Sequence, residues 1–330
     1  MTRDRVLALL KESGENYCSG EKMSQALGLS RAAVWKAVDA LRQEGYDISS
    51  VPNRGYRLER SPDRLSPGEL AGALKGCTIG SNLICLDSVD STNNYAKKLA
   101  GEGAPHGTVV LCDHQTGGRG RRGNSFLSPA GKGLYLSVLL RPELPPMDVI
   151  DLTAWVAVAV CGAVEQVIGE RPGIKWTNDI ILRKKKLCGI LTELSLEGES
   201  GQLHYVVVGI GINVSQSAED FGEEVSQVAI SLEQALGHPV RRADLAAAVI
   251  RGMDRLAQDF PMKKAEYLER YRADCLTTGH EVRLIQKGET RTAFAESIDD
   301  DFALVVRWPD GTRESITAGD VSVRGLLGYV

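Results

Sequence analysis

The seven cysteines of this sequence lack any sign of pairing. Cys18, Cys77, Cys85, Cys112, Cys161, Cys188 and Cys275 are odd in number, scattered, and never spaced C-x-x-C. That pattern excludes a zinc ribbon and a disulfide framework, and it points to small thiols in a reducing compartment. A signal-type apolar run is also missing. Met1-Thr2-Arg3-Asp4 leads straight into an amphipathic pattern, and the longest apolar stretch, near Val156 to Val160, is too short and too alanine-rich to span a bilayer. The expectation is a cytoplasmic protein with no membrane segment. There is no excess of positive charge either. At a net charge of −4 the chain does not coat nucleic acid indiscriminately, so any DNA contact is regional. Repeats and low-complexity tracts are absent. What remains is ordinary globular composition, 43% hydrophobic and 25% charged, over 330 residues, which is enough for two or three domains.

One stretch stands apart from that composition. Gly117-Gly118-Arg119-Gly120-Arg121-Arg122-Gly123 packs three guanidiniums and four glycines into seven residues. Glycine lets backbone N–H groups approach a ligand closely, and each guanidinium offers a planar fork of donors to a carboxylate or phosphate. The stretch reads as an anion cradle or as a solvated basic loop. It is not a Walker loop, because no Gly-Lys-Ser/Thr closes it.

The first sixty residues carry their own pattern. Val6, Leu7 and Leu10 share one helix face, and Met23, Ala26 and Leu27 mark a short second helix that stops at Gly28. Ser30 is placed as an N-cap, Val34, Val38 and Leu41 repeat at helical spacing, and Gly45 sits where a left-handed cap belongs. A β-hairpin follows, with Tyr46-Asp47-Ile48 and Tyr56-Arg57-Leu58 on either side of Pro52-Asn53-Arg54-Gly55. This is the winged-helix order. It leaves Ser30, Arg31, Trp35 and Lys36 facing outward for base edges and phosphates, with Arg54 at the hairpin tip. A helical domain used for protein contacts is the alternative. The charged, proline-broken segment Glu59 to Arg64 reads as a linker, which puts a boundary near residue 62.

Beyond it, Ser66-Pro67-Gly68-Glu69 has the form of a capping box. Leu83 to Leu86 is a strand running into Asp90-Ser91-Thr92-Asn93, residues that cap a helix or offer hydroxyl and amide groups to a small polar ligand. Val109 to Cys112 and Leu134 to Leu140 are strands, with Gln115 at a strand end beside the arginine-glycine stretch, which is a long loop between the two, and such loops are usually functional or mobile. A helix is expected over 148–168. Ile174 to Asp179 is a strand that ends in an Asn-Asp pair, either a turn or a set of oxygen ligands. After the basic turn 183–186, Lys186 immediately precedes an apolar strand and is placed to point inward. Tyr205 to Val214 holds Gly209 and Gly211, which imply close approach of something to the backbone, or tight sheet packing. The polar stretch Ser215 to Ser226 is a candidate lid. Helices over 242–259 and 263–273 lead to short strands Val282 to Ile285, Arg291 to Ala295, Ala303 to Val306 and Glu314 to Thr317, a small barrel beginning near residue 276 with turns at Lys287-Gly288 and Asp310-Gly311.

In this order the pieces resemble the biotin protein ligases, in the bifunctional bacterial form that also represses the biotin operon. The resemblance covers essentially the whole chain. It rests on the winged helix, Asp90-Ser91-Thr92-Asn93, Gln115 with Gly118 to Gly123, Lys175-Trp176-x-Asn178-Asp179, Lys186-Leu187-x-Gly189-Ile190, and Gly209-Ile210-Gly211-Ile212-Asn213. It implies an α+β chain in three parts: a winged helix-turn-helix DNA-binding domain (1–62), a central mixed-sheet catalytic domain of the biotin/lipoate ligase type (63–275), and an SH3-like C-terminal β-barrel (276–330).

The implied reaction is adenylation of the biotin carboxylate by MgATP, followed by transfer of biotin to one lysine of a biotin carboxyl carrier protein. Operator DNA and, when the adenylate is bound, a second copy of the chain are the other implied partners. Ser91, Thr92, Asn93, Gln115 and Gly189 are then expected around biotin. Arg119, Gly120, Arg121 and Lys186 are expected at the carboxylate and phosphates, with Arg119, Arg121 and Lys186 catalytic. Arg122, Asn178, Asp179, Asn213 and Arg324 are expected on the nucleotide and Mg²⁺ side, with no structural metal site. Two departures are visible. Asn124-Ser125-Phe126 stands where the family commonly carries a tryptophan, and Thr177 stands where it carries a proline, which is expected to loosen the turn before Asn178. Two alternatives are weighed: a ligand-sensing repressor without catalysis, disfavoured by the intact Lys186, Arg119 and Arg121, and a lipoate or octanoate ligase, disfavoured by the arginine loop and the winged helix.

Overall fold

The computed structural model describes residues 2–198, 200–286, 289–317 and 320–323. Helices α1 (Thr2–Ser13), α2 (Gly20–Leu27) and α3 (Arg31–Gln43) precede the hairpin β1 (Asp47–Val51) and β2 (Gly55–Arg60). Their limits follow from local chemistry. Ser19 and Ser30 accept the backbone N–H of Lys22 and Ala33 as N-caps, and Gly28 ends α2 in the left-handed conformation at φ 65°. Val6, Leu7, Leu10, Met23, Val34, Val38 and Leu41 are at most 1% exposed and form a core of their own with Tyr46 and Ile48. One contact is not local: Cys18 and Tyr56 exchange backbone hydrogen bonds (2.8 and 2.9 Å), so the segment before α2 is tied to the wing. A side chain at Gly55 would strike the Cys18 carbonyl at 2.2 Å, and its φ is 107°.

The linker is pinned at both ends. The Asp63 carboxylate accepts from the backbone N–H (2.9 Å) and Nε (2.7 Å) of Arg242, and Arg242 also donates to Asp113 (2.7 Å). In α4 (Pro67–Leu70) the expected capping box is half formed. Ser66 accepts from the Glu69 N–H (3.2 Å), but the buried Glu69 carboxylate turns away to Lys11 of α1 and Arg241 (3.2 Å), both partly exposed. Two cations in reach outcompete a backbone N–H for that carboxylate.

The central sheet has seven strands: β3 (Leu83–Val89), β4 (Val109–Gln115), β5 (Gly133–Leu140), β6 (Gly173–Lys175), β7 (Asp179–Leu182), β8 (Lys185–Leu196) and β9 (Leu203–Asn213). Their order is β3-β4-β5-β9-β8-β7-β6, with β3 and β4 parallel and every other pair antiparallel. Helix α5 (Thr92–Gly101) covers one face at Val110, Leu139 and Val207, and α6 (Leu152–Ile168) packs on the other. Every residue of β5 is therefore buried, which explains an apolar run that only Ser137 interrupts. The expectation that no stretch is long enough to span a membrane needs correction. The helical run Pro146–Ile168 has 23 residues and passes by length and composition, alone among the described residues. It is the core helix, with Trp155 fully buried and stacked on Tyr267 at 4.1 Å. The strand read over 174–179 is instead the tight hairpin β6–β7, with Lys175 paired to Asp179.

The polar stretch after β9 is built of two short helices, α7 (Ala218–Phe221), closed by a capping box between Ser217 and Asp220, and α8 (Glu223–Val228). Next come α9 (Leu232–Leu236), α10 (Arg242–Asp259) and α11 (Lys264–Asp274). The C-terminal strands are β10 (Glu281–Gln286), β11 (Glu289–Ile298), β12 (Leu304–Arg307), β13 (Arg313–Ile316) and β14 (Asp320–Val323), the last not anticipated. They form an antiparallel sheet of order β13-β12-β11-β10-β14, whose two edges do not pair among the described residues. The expected Lys287-Gly288 turn lies outside the described residues. The C-terminal apolar residues are continuous with the central core, and the Trp176 indole donates to the Phe302 carbonyl (2.9 Å).

Candidate active site

A cavity of about 150 Å³ opens where the ends of β3, β4, β8 and β9 meet the arginine-glycine loop. Its inner end is neutral and polar. Ser91 is the N-cap residue of α5 yet makes no side-chain cap bond; Gln115 does that work instead, accepting from the Thr92 N–H (2.8 Å) and hydroxyl (3.1 Å) through Oε1. Because Oε1 is committed to an N–H, the amide orientation is settled, and Nε2 donates to Ser128 (2.9 Å). The Ser91 hydroxyl is left to the cavity. Asn93 is fixed deeper, donating to Glu193 (2.8 Å) and accepting from Ser137 (2.6 Å). Burial raises the Glu193 carboxyl, but hydrogen bonds from Lys97 and Asn93 outweigh it and hold the group below the usual carboxylate range.

The floor is glycine. A side chain at Gly209 would meet the Asn93 amide at 2.3 Å, and one at Gly211 would meet the Phe126 ring at 2.7 Å. The close approach implied by these glycines is therefore made by Asn93 and Phe126. Phe126 sits edge-on to Tyr135 (6.3 Å, 76°) and lines the cavity with Leu136, Ile190 and Ile210. Its position comes from the loop, which folds back on itself: Gly120 N–H to Asn124 carbonyl is 2.7 Å, and Phe126 N–H to Gly118 carbonyl is 2.9 Å. The tip is a single 3-10 turn, Arg121–Gly123, with Arg122 left-handed at φ 54°.

The outer end carries the cations. Arg119 and Gly120 line it, and Arg121 donates to Thr177 Oγ1 (3.1 Å) and Asn178 Oδ1 (2.9 Å). Lys186 reaches the cavity because an irregularity in the β7–β8 register, between Ile180 and Ile181, adds a residue beside it. Its ammonium bonds to Asp179 (2.6 Å), and Lys175 lies 3.6 Å from the same carboxylate. A Cβ at Gly189 would make only ordinary contact with the end of the Lys186 side chain, 3.5 Å from Nζ. The nearest thiol, Cys188, is completely buried and pushed up by that burial, which makes it no nucleophile.

Ser91, Thr92, Asn93, Gln115, Arg119, Gly120, Arg121, Asn178, Asp179, Lys186 and Gly189 thus share one cavity. Three expected residues are not among its lining. Arg122 is exposed and donates to the Ile285 carbonyl (3.3 Å) of the C-terminal sheet. Asn213 is buried, donating to the carbonyls of Lys186 (3.4 Å) and Ile230 (3.2 Å) and accepting from Gln216 (3.2 Å), so its amide braces the strands. Arg324 lies outside the described residues. The turn at Thr177 is not loose, because Tyr271 donates to the Thr177 carbonyl (3.3 Å) and Arg121 holds the hydroxyl. Ser137, Glu193 and Ser128 are site residues that the sequence did not announce. A serine inside the all-apolar run Leu134 to Leu140 was the one signal available for Ser137.

On the winged helix, Ser30, Arg31, Trp35 and Lys36 are exposed, Trp35 at 55%. Arg54 is also exposed, and its guanidinium lies over the Tyr17 ring (4.5 Å) beside Arg57 (4.8 Å), so the wing tip is stiffened by cation–π contact.

Three family models match this chain: a helix-turn-helix domain over residues 2–57, the biotin/lipoate A/B protein ligase family over 85–213, and the biotin protein ligase C-terminal domain over 277–324. The bifunctional ligase/repressor BirA of Bacillus subtilis (strain 168) is 36% identical over 322 residues, 96% of this chain and 97% of that protein. BirA of Escherichia coli (strain K12) is 32% identical over 97% of this chain and 96% of that protein. Among solved structures, the biotin protein ligase from Aquifex aeolicus in complex with biotin and ATP matches with a TM-score of 0.63 and 30% identity, covering 74% of this chain and 99% of that one. With a likeness that runs nearly end to end through relatives of this kind, the chain belongs to the bifunctional ligase/repressor family of biotin protein ligases.

Proposed function

We infer that this chain activates biotin with ATP to biotinyl-5'-AMP, passes biotin to a lysine of a biotin carboxyl carrier protein, and represses transcription through its winged helix in response to biotin. The single observation that carries the reading is the polarity of the cavity. A neutral hydroxyl-and-amide end, an apolar glycine-floored middle and a cationic mouth match a ligand with an uncharged polar head, an aliphatic tail and a carboxylate.

The chemistry follows from that order. The biotin carboxylate oxygen attacks the α-phosphorus of ATP, an acyl–phosphate bond forms, and pyrophosphate leaves. Two anions must meet, so Lys186, Arg119 and Arg121 act by holding negative charge in place as it is redistributed. The acceptor amine then attacks the acyl carbon and AMP departs. No side-chain nucleophile is needed, in keeping with the burial of Cys188. Ser91, Thr92 and Gln115 orient the head group, and Asn93 closes the deep end.

Magnesium fits as a companion of the nucleotide. No group of three or more His, Cys, Asp or Glu among the described residues is arranged for a metal. Asp179 is one carboxylate flanked by two lysines, so a site made by protein alone is unfavourable, whereas Mg²⁺ commonly binds through one or two carboxylates and substrate phosphates. Asp179, with Asn178 beside it, would hold it there; the ion supplies charge neutralisation on the phosphates. Arg31, Trp35, Lys36 and Arg54 face operator DNA, and two adenylate-loaded copies pair their winged helices on a palindromic site. The setting is the cytoplasm.

Biotin-dependent exchange of pyrophosphate into ATP tests the reading. Wild type exchanges with biotin and Lys186→Ala does not. Exchange with lipoate in place of biotin, or saturable biotin binding without exchange, would overturn it.

A further inference from the structure

A loop with four glycines in seven residues has a large conformational entropy to lose, and its internal bonds tie its neck. The bonds Gly120 to Asn124 and Phe126 to Gly118 close its base and leave the tip, Arg121–Gly123, to be held by side chains. Arg122 is exposed and donates to the Ile285 carbonyl at 3.3 Å. Arg121 is different. Its Nη1 donates both to Thr177 Oγ1 (3.1 Å) and to Asn178 Oδ1 (2.9 Å), at the turn between β6 and β7.

That turn is a rigid dock. The Trp176 N–H donates to Thr277 Oγ1 (2.8 Å) and its indole to the Phe302 carbonyl (2.9 Å), both buried. Tyr271, with no exposed surface, donates its hydroxyl to the Thr177 carbonyl (3.3 Å). Asn178 Nδ2 donates to the Ile190 carbonyl (2.9 Å), and the Ile190 N–H returns a bond to the Asn178 carbonyl (3.1 Å). Asn178 thus presents Oδ1, and Thr177 presents Oγ1, from a backbone anchored by the central sheet, α11 and the C-terminal sheet together.

We propose that Thr177 is a positioning residue, whose hydroxyl parks the Arg121 guanidinium at the cavity mouth before ligands arrive and so keeps the arginine-glycine loop ordered in the free enzyme. The inference rests on the proposed function only for what Arg121 then does. Ordering the loop in advance raises the competent fraction of free enzyme, and apparent affinity rises in the same proportion. The contact is a hydrogen bond from a charged group, so its removal shifts that fraction by about tenfold or more.

The experiment compares full-length wild type with Thr177→Val, which keeps the shape and loses the hydroxyl, and with Thr177→Ser, which keeps the hydroxyl. Limited trypsin digestion of the ligand-free proteins reads loop order directly, because Arg119, Arg121 and Arg122 are all cleavage sites. Cleavage within 119–122 is expected to be about tenfold faster in Thr177→Val and near the wild-type rate in Thr177→Ser. In biotin-dependent pyrophosphate exchange, Thr177→Val is expected to raise KM about tenfold while kcat changes by less than about threefold, with Thr177→Ser restoring KM. Equal trypsin rates in wild type and Thr177→Val overturn the proposal, as does a Thr177→Ser protein that behaves like Thr177→Val. Should Thr177→Val fold poorly by thermal melting, Thr177→Ala carries the same comparison. Absence of exchange in wild type would strike the proposed function instead, and the digestion rates would still decide the role of Thr177.

Discussion

The winged helix and the reaction cavity are assembled by opposite means. In the winged helix, Ser19, Gly28 and Ser30 set helix limits from within their own turns, and the apolar residues that pack together lie within the first sixty. The cavity collects Ser91, Gln115, Arg121, Lys186 and Gly211 from five places along the chain, none of which is a site alone. The first arrangement makes a binding surface by subtraction, since whatever a helix does not bury it presents. The second makes a binding surface only when strands distant in sequence lie side by side. Damage to the winged helix should therefore leave the ligase reaction alone, whereas cavity damage that blocks the adenylate should also weaken operator binding, which in the proposed function waits for the loaded enzyme.

The sharpest way to test that asymmetry is at the cation of the cavity. Lys186→Ala is expected to lower the rate of biotin-dependent pyrophosphate exchange by about 10²–10³-fold, the scale for loss of one preorganised charge partner, with no change in far-UV circular dichroism. Next in size is the seam between the two regions. Glu69 has no exposed side-chain surface and joins Lys11 of the winged helix to Arg241 of the ligase domain. Glu69→Gln weakens the ion pairs to two partly exposed cations, and denaturant unfolding should show a loss of about 1–2 kcal/mol. If stability is unchanged, the two regions are less coupled than this cluster implies.

Effects of similar or smaller size sharpen the comparison. Gly211→Ala sets a methyl 2.7 Å from the Phe126 ring. Overpacking of that kind costs about 1–3 kcal/mol, and titration calorimetry should record it as weaker biotin binding, with operator DNA binding at saturating ligand preserved. On the winged helix the converse holds. Arg31→Ala and Lys36→Ala should each weaken a gel-shift on the biotin-gene promoter and flatten its salt dependence by about one unit of slope, while exchange stays at wild type.

The smallest effect is in pH. Glu193 has a folded value held below its usual 4.5, so the unfolded chain takes up its proton first as acid is added. Its stabilising contribution is present above about pH 4.5 and fades as pH falls through the lowered folded value. Glu193→Gln should flatten the melting-temperature profile on that acid side and leave its shape near neutrality alone.

Legibility followed the same division. The helices of the first sixty residues and the hairpin came directly from spacing and caps, because each is stabilised by neighbours in sequence. Ser91 was legible as a cap residue, but its freedom to face a ligand was not, since Gln115 takes over the capping from 23 residues away. Asn213 looked like a nucleotide ligand by its motif and turned out to be a buried brace, because its surroundings come from Ile230 and Gln216. Glu193 gave no local sign at all, and Phe126 showed only an aromatic ring in the segment where a tryptophan is common. Their roles depend on what lies across the sheet.

Residue order by itself determined the helix limits and outward face of the winged helix and the existence of a glycine-arginine loop, all consequences of interactions a few residues long. Tertiary structure alone decided which polar atoms remain free for a ligand, that Thr177 and Asn178 receive Arg121, and that Lys186 shares a wall with Ser91. Hydrogen bonds saturate: whether a given donor is available depends on every acceptor that folding brings within reach, and those acceptors are set by strand pairing across the whole chain.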